Sequence, residues 1–246
     1  MPFDPEVITG TPYGAPLVPT LPIRMRRTEI LTVVYRTDLA AADALIPAPL
    51  ELTGDLVVVH VYRMHDAEWF GRYCESAVQI PVRLPDGSSA VYSPFLVLES
   101  DGAVAAGREL YGQPKKHGEV ALDARGDLLV GVVARNGIDV ITATTPYKQT
   151  PSDLTALDRL VPGGATNVNL RILPLDGPDY RRELVVRSFT DVVLHEAWES
   201  HATIELRPNA QVPVYLLPVR CVEAGFHRIV DFTLPEGSVI HRYGAA

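Results

Sequence analysis

The chain has 246 residues, 47% apolar and 21% charged, with a formal net charge of −8. This is enough apolar material for a packed core, and it excludes a disordered chain. The negative balance argues against nucleic acid or an anionic membrane surface as partner, but a local site is still free to bind an anionic small molecule.

The N-terminal MPFDPEVITG has neither a basic start nor an apolar h-region, so no secretory signal is expected there. A strand is predicted over 30–36. Asp38 is placed to cap a helix through LAAADALI that stops at Pro47. Strands follow over 56–64, 77–84, 91–98, 128–134 and 139–145. Ser152 is placed to cap a second helix, DLTALDRLV, with Leu154, Leu157 and Leu160 at helical spacing before Pro162, Gly163 and Gly164. Further strands are predicted over 167–173, 183–194 and 229–234, with PDG, RNG and LDGP marking turns. The longest apolar stretch, near 128–134, is too short to span a bilayer. No linker, repeat or composition break divides the chain, so one domain over 1–246 is expected. Strands outnumber helices, which favours a β-rich α+β fold with an antiparallel sheet or barrel over a doubly wound one. Cys74 and Cys221 lack CxxC or zinc spacing, so the expectation is a reduced, cytoplasmic protein.

Several functional motifs are missing. There is no GxxxxGK[ST], no GxGxxG after a strand and no GxSxG. HEAWESH (195–201) resembles a zinc-protease motif, but Glu199 stands where the second histidine is required. No metal or organic cofactor is expected.

The basic residues are unusual: nineteen arginines but only Lys115, Lys116 and Lys148. Arginine stays protonated, whereas a lysine can be tuned to lose its proton and attack a carbonyl. The adjacent pair lies in GRELYGQPKKHGE (107–119). That segment resembles the signature of the acetoacetate decarboxylase family. VYRTD (34–38), PAPLE (47–51), MHD (64–66), YCESA followed by IPV (73–82), ATTPYK (143–148) and DVVLHEAWE (191–199) resemble family landmarks in family order.

The resemblance implies a cone or barrel of antiparallel strands around the lysine, and a homo-oligomer. It makes Lys115 the Schiff-base residue and Glu75 the active-site glutamate that positions substrate or handles a proton. The implied reaction is decarboxylation of acetoacetate or a close β-keto acid. Aldol condensation and dehydration of a pyruvate-type oxo acid, or non-catalytic binding, are the alternatives. An unperturbed lysine is neutral in only about one copy in 2,500 at pH 7, so its pKa must fall. Desolvation is expected to be the larger cause, with Lys116 helping less, because neighbours on an extended chain point to opposite sides.

Two positions depart from the family. Its decarboxylases carry an arginine and a glutamate where this chain has Thr28 and His60. Arg26 is expected on the same strand face as Thr28. The expected substrate-binding set is therefore His60, Thr28, Arg26 and Gln113, beside the catalytic Lys115, Glu75 and Lys116.

Overall fold

A computed structural model describes residues 10–12, 14–176 and 178–244. The stretch judged not to be a secretory signal lies, up to residue 9, outside them, as does Gly177 of the LDGP turn. The strands are β1 (Ile23–Arg36), β2 (Glu51–Leu52), β3 (Leu56–Ala67), β4 (Gly71–Arg83), β5 (Ser89–Leu98), β6 (Lys115–His117), β7 (Glu119–Arg125) and β8 (Leu128–Arg135). They continue as β9 (Ile138–Pro146), β10 (Thr150–Pro151), β11 (Thr166–Pro174), β12 (Tyr180–Ser188), β13 (Thr190–Ser200), β14 (Thr203–Leu206), β15 (Cys221–Leu234) and β16 (Ser238–Tyr243). Three α-helices interrupt them: α1 (Leu39–Asp43), α2 (Asp101–Tyr111) and α3 (Leu154–Leu160). No helix among the described residues is long and apolar enough to cross a membrane.

A twelve-stranded sheet runs β10–β13–β15–β1–β3–β4–β5–β11–β12–β16, with β2 beside β4 and β6 beside β5. Pairing is antiparallel except where β5 runs parallel to β6 and to β11. A four-stranded sheet, β14–β9–β8–β7, covers part of one face. Strand alternation explains the layering. Leu31 and Val33 of β1 and Val57, Val59 and Val61 of β3 pack against Leu122, Leu129 and Ile141 of the small sheet. The opposite face presents Ile30, Tyr62, Tyr73, Leu96 and Val230 to a second core, and that face carries the functional site.

The structure revises several local expectations. The predicted strand over 183–194 is two strands, β12 and β13, divided at Phe189. The cap of α3 is Asp153, whose carboxylate accepts from Thr155 and Ala156, not Ser152. Asp38 precedes α1 but makes no side-chain cap bond; it pairs instead with Arg220 at 2.6 Å. Helix α2 is a third helix, capped by Ser100 and closed by Gly112 in the left-handed region at φ 71°.

A line of polar side chains crosses the site face of the large sheet. The Arg228 guanidinium donates to the Thr32 hydroxyl at 3.3 Å, and that hydroxyl lies 2.8 Å from His60 Nδ1. His60 Nε2 lies 3.1 Å from Gln79 Oε1, and Gln79 Nε2 donates to Asn167 Oδ1 at 2.9 Å. An amide oxygen only accepts, so His60 carries its proton on Nε2 and accepts from Thr32 on Nδ1. Burial, with Arg228 as the second cause, pushes the imidazole down from 6.5 to about 3.

This depressed value links stability to pH. The unfolded chain binds a proton at this histidine more readily than the folded one, so stability falls as the pH drops from about 6.5 towards 3. Going from pH 7 to pH 5 this costs about 2 kcal/mol. Urea unfolding of the native chain and of His60→Gln at both pH values tests it. The native chain should lose about 2 kcal/mol more than the variant; equal losses mean that His60 is protonated in the fold.

Candidate functional site

Helix α2 and strand β6 together place Lys115. After Gly112 turns the chain, the Gln113 amide donates to the Gly107 carbonyl at 2.9 Å, and Pro114 leads into β6. Lys115 pairs with Leu96 of β5, and Arg108 Nη1 donates to the Lys115 carbonyl at 3.2 Å. The lysine stem then lies against the last turns of α2 at Gly107. A Cβ there would stand 2.4 Å from Lys115 Cδ and 2.6 Å from Cε. Glycine is needed here because the stem occupies the space of a side chain.

The amine meets a carboxylate. Lys115 Nζ donates to Glu75 Oε2 at 3.0 Å, and both side chains are 8% exposed. Glu75 comes from β4, in register with Tyr62 of β3 and Leu98 of β5. The two groups line a chamber of about 50 Å³ with Met25, Tyr73, Gln113 and Arg187. Burial is the largest influence on Lys115 and pulls its pKa below the ordinary range. Glu75 opposes that shift by charge and hydrogen bond, and the Arg187 guanidinium adds to it.

Arg187 of β12 is buried, and its Nε and Nη1 have no hydrogen-bond partner among the described residues. The guanidinium carbon lies 5.0 Å from the Tyr111 ring centre and 4.7 Å from that of Phe189. Burial pulls its pKa down as well. Tyr62 and Tyr73 are pushed up by burial and, secondarily, by Glu75, so both phenols keep their protons. Asn167 also lines the chamber, and its Nδ2 is buried without a partner. The chamber therefore holds a nucleophile, a carboxylate, a free cation and free N–H donors.

The structure brings Lys115, Glu75 and Gln113 together and leaves the other expected residues apart. Lys116 points the opposite way along β6, is exposed, and donates to the Gln211 carbonyl at 2.6 Å. The second cation near the amine is Arg187 instead. Arg26 does not share the face of Thr28. A bulge between Met25 and Thr28, with Arg27 at φ 53°, puts an extra residue into β1. Arg26 thus emerges at the surface and pairs with Asp66 at 3.1 Å. Thr28 is buried, with its hydroxyl 3.5 Å from the Met64 sulfur, and it does not line the chamber. His60 lines a neighbouring cavity. Arg187 had one sequence signal, an arginine after the apolar run LVV, but nothing tied it to the lysine.

The comparisons with known proteins agree with this geometry. The family model for acetoacetate decarboxylase (ADC) matches residues 9–244. An acetoacetate decarboxylase of Acidiphilium cryptum is 38% identical, over 98% of this chain and 99% of that protein. One from Clostridium acetobutylicum is 35% identical, over 95% of each. A solved acetoacetate decarboxylase structure superposes with a TM-score of 0.91 at 33% identity, covering 97% of both chains. A strand-rich fold enclosing a desolvated lysine is the class of protein seen here. The chain belongs to the acetoacetate decarboxylase family.

The packing of Gly107 against Lys115 yields a test in which stability and activity move in opposite directions. Gly107→Ala removes a helix glycine, worth up to about 1 kcal/mol in helix propensity. Its methyl group meets first the lysine stem and the Gln113 side-chain oxygen, both on flexible side chains. The variant should melt no lower than the native chain, yet borohydride trapping of acetoacetate should slow at least tenfold by intact mass. Trapping at the native rate would show that the stem has room to spare.

Proposed function

We propose that this chain is a carboxy-lyase that decarboxylates acetoacetate or a close β-keto acid through an imine on Lys115. The single observation that carries this reading is the buried amine, held below its ordinary pKa and 3.0 Å from Glu75. The relatives named acetoacetate decarboxylase, at 35–38% identity over nearly the whole chain, support decarboxylation over condensation.

The neutral amine attacks the keto carbon, and the resulting carbinolamine loses water to give a protonated imine. Glu75, already hydrogen-bonded to the amine, shuttles these protons. The bond to the carboxylate then breaks, its electron pair moves into the imine to form an enamine, and carbon dioxide leaves. A proton adds to the enamine carbon, and water hydrolyses the resulting imine, freeing lysine and ketone. Arg187 receives the substrate carboxylate, because it is a buried cation lining the chamber that no carboxylate pairs with among the described residues. Carbon dioxide carries no charge, so this contact weakens as the bond breaks. Arg187 therefore contributes to binding more than to the bond-breaking step. Gln113 and Asn167 offer further polar contacts.

The chain acts in this reading as one domain and a homo-oligomer in the cytoplasm. Exposed Ile172, Val192 and Val193 favour assembly, and the free thiols of Cys74 and Cys221 suit a reducing compartment.

Two substitutions test the assignments. Lys115→Arg should form no borohydride-trapped adduct while keeping its fold, because arginine cannot become a neutral nucleophile. An adduct in that variant would move the nucleophile elsewhere. Arg187→Met should raise KM for acetoacetate at least tenfold, while trapping of acetone, which has no carboxylate, should weaken less. Arg187 pulls the Lys115 pKa down, so removing it raises that pKa. The pH for half-maximal trapping should accordingly move to the alkaline side. An unchanged KM together with an unchanged pH profile would remove Arg187 from the site.

A further inference from the structure

Beside the lysine chamber lies a second cavity of about 250 Å³ that acetoacetate does not need. Its walls are mostly apolar, with Val58, Leu157, Val161 and Val230 among them, beside the polar His60, Gln79 and Asp158. It also contains a cation. Arg228 is part-buried; among the described residues its Nε is buried without a partner, and Nη2 donates to the neutral Thr32 hydroxyl. Burial pulls the guanidinium pKa down, and Tyr62 and then Asp158, both at the cavity wall, oppose that shift by charge. Among the described residues no carboxylate pairs with Arg228 within 4.0 Å. A desolvated cation facing an apolar cavity is costly unless an anion occupies that cavity.

The two spaces are neighbours, with Tyr62, Gln79, Phe189 and Phe232 lining both. Sheet register gives their spacing. Arg228 pairs with Ile30, Ile30 with Tyr62, and Tyr62 with Glu75, so the four side chains point to one face in a row. Three strand steps at roughly 4.8 Å place the Arg228 and Glu75 backbones about 14 Å apart. The Tyr62 phenol between them senses Glu75 and Arg187 on one side and Arg228 on the other.

We propose that the second cavity binds the far end of the substrate, which is a 3-oxo dicarboxylic acid whose distal carboxylate pairs with Arg228. This rests on the imine reading above. The keto carbon lies at Lys115 and the departing carboxylate at Arg187, while the chain passes Tyr62 and ends on Arg228. A backbone of about six to eight carbons fits the three-strand spacing. The chemistry at the lysine is that of any β-keto acid: the bond to the near carboxylate breaks, its electrons enter the imine, and the distal carboxylate is retained.

Kinetics and calorimetry together test this. The native chain should process 3-oxooctanedioate with kcat/KM at least tenfold above 3-oxooctanoate, which has the same length and a methyl end. Arg228→Met should reduce that ratio at least tenfold. Leu157→Phe, which fills the cavity from α3, should reduce turnover of both long acids relative to acetoacetate and serves if Arg228→Met fails to fold. Equal turnover of the two long acids by the native chain, or a ratio that survives Arg228→Met, overturns the proposal. Acetoacetate turnover and trapping at Lys115 read the underlying mechanism separately. If no keto acid is turned over, calorimetry with octanedioate still decides. Saturable binding to the native chain that both variants weaken at least tenfold supports the cavity assignment, and absence of binding ends it.

Discussion

Lys115, Glu75 and Arg187 lie in one desolvated chamber, and their charges have to be counted together. With the amine protonated the three carry a net positive charge in a place where charge is costly. With the amine neutral the carboxylate and guanidinium balance. Burial and Arg187 both push the amine towards that neutral form, while the 3.0 Å contact with Glu75 pulls the other way. On the imine mechanism the balance persists. The incoming carboxylate brings a negative charge as the protonated imine gains a positive one, and both are lost together when neutral carbon dioxide leaves an enamine. The balance thus holds across the bond-breaking step, where both the protonated imine of the keto acid and the enamine leave the chamber neutral overall, while substrate entry and protonation of the enamine carbon each shift its charge by one.

The fold brings each buried charge to the chamber on its own strand. Glu75 stands on β4, Lys115 on β6 and Arg187 on β12, while the small sheet packs against the other face through Leu122, Leu129 and Ile141. Strand positions are stiff, and the lysine stem is further confined between β5 and the glycine side of α2. Side chains held this way lose little further freedom when a substrate orders them, which favours a geometry fixed in advance.

What was legible in the sequence depended on local chemistry. The lysine and glutamate stand in short motifs, and alternation along an extended chain already set Lys116 against Lys115. Most strands were visible from their apolar runs. The misses came from features that local patterns do not encode. Helix α2 was hidden because its glycines dilute the apolar periodicity, and one of them, Gly107, is there for the lysine stem. Arg26 was misplaced because a single extra residue at Arg27 reverses the alternation of β1. Arg187 reaches the chamber only through the long-range order in which β11 joins β5 and β12 joins β11, and no spacing in the chain announces that.

Thr28 and His60 are both neutral in this buried region: the Thr28 hydroxyl turns to the Met64 sulfur, and His60 links Thr32 to Gln79. This bears on what surrounds Arg228. A carboxylate at position 60, within reach of the same polar line, could compensate that guanidinium, and a neutral imidazole cannot. Cationic character on this face of the sheet resides in Arg187 on one side of Tyr62 and Arg228 on the other. A site so arranged sets substrate length and terminal charge with groups that take no part in the bond-breaking step. Selectivity can therefore diverge within the family while the lysine chemistry stays the same.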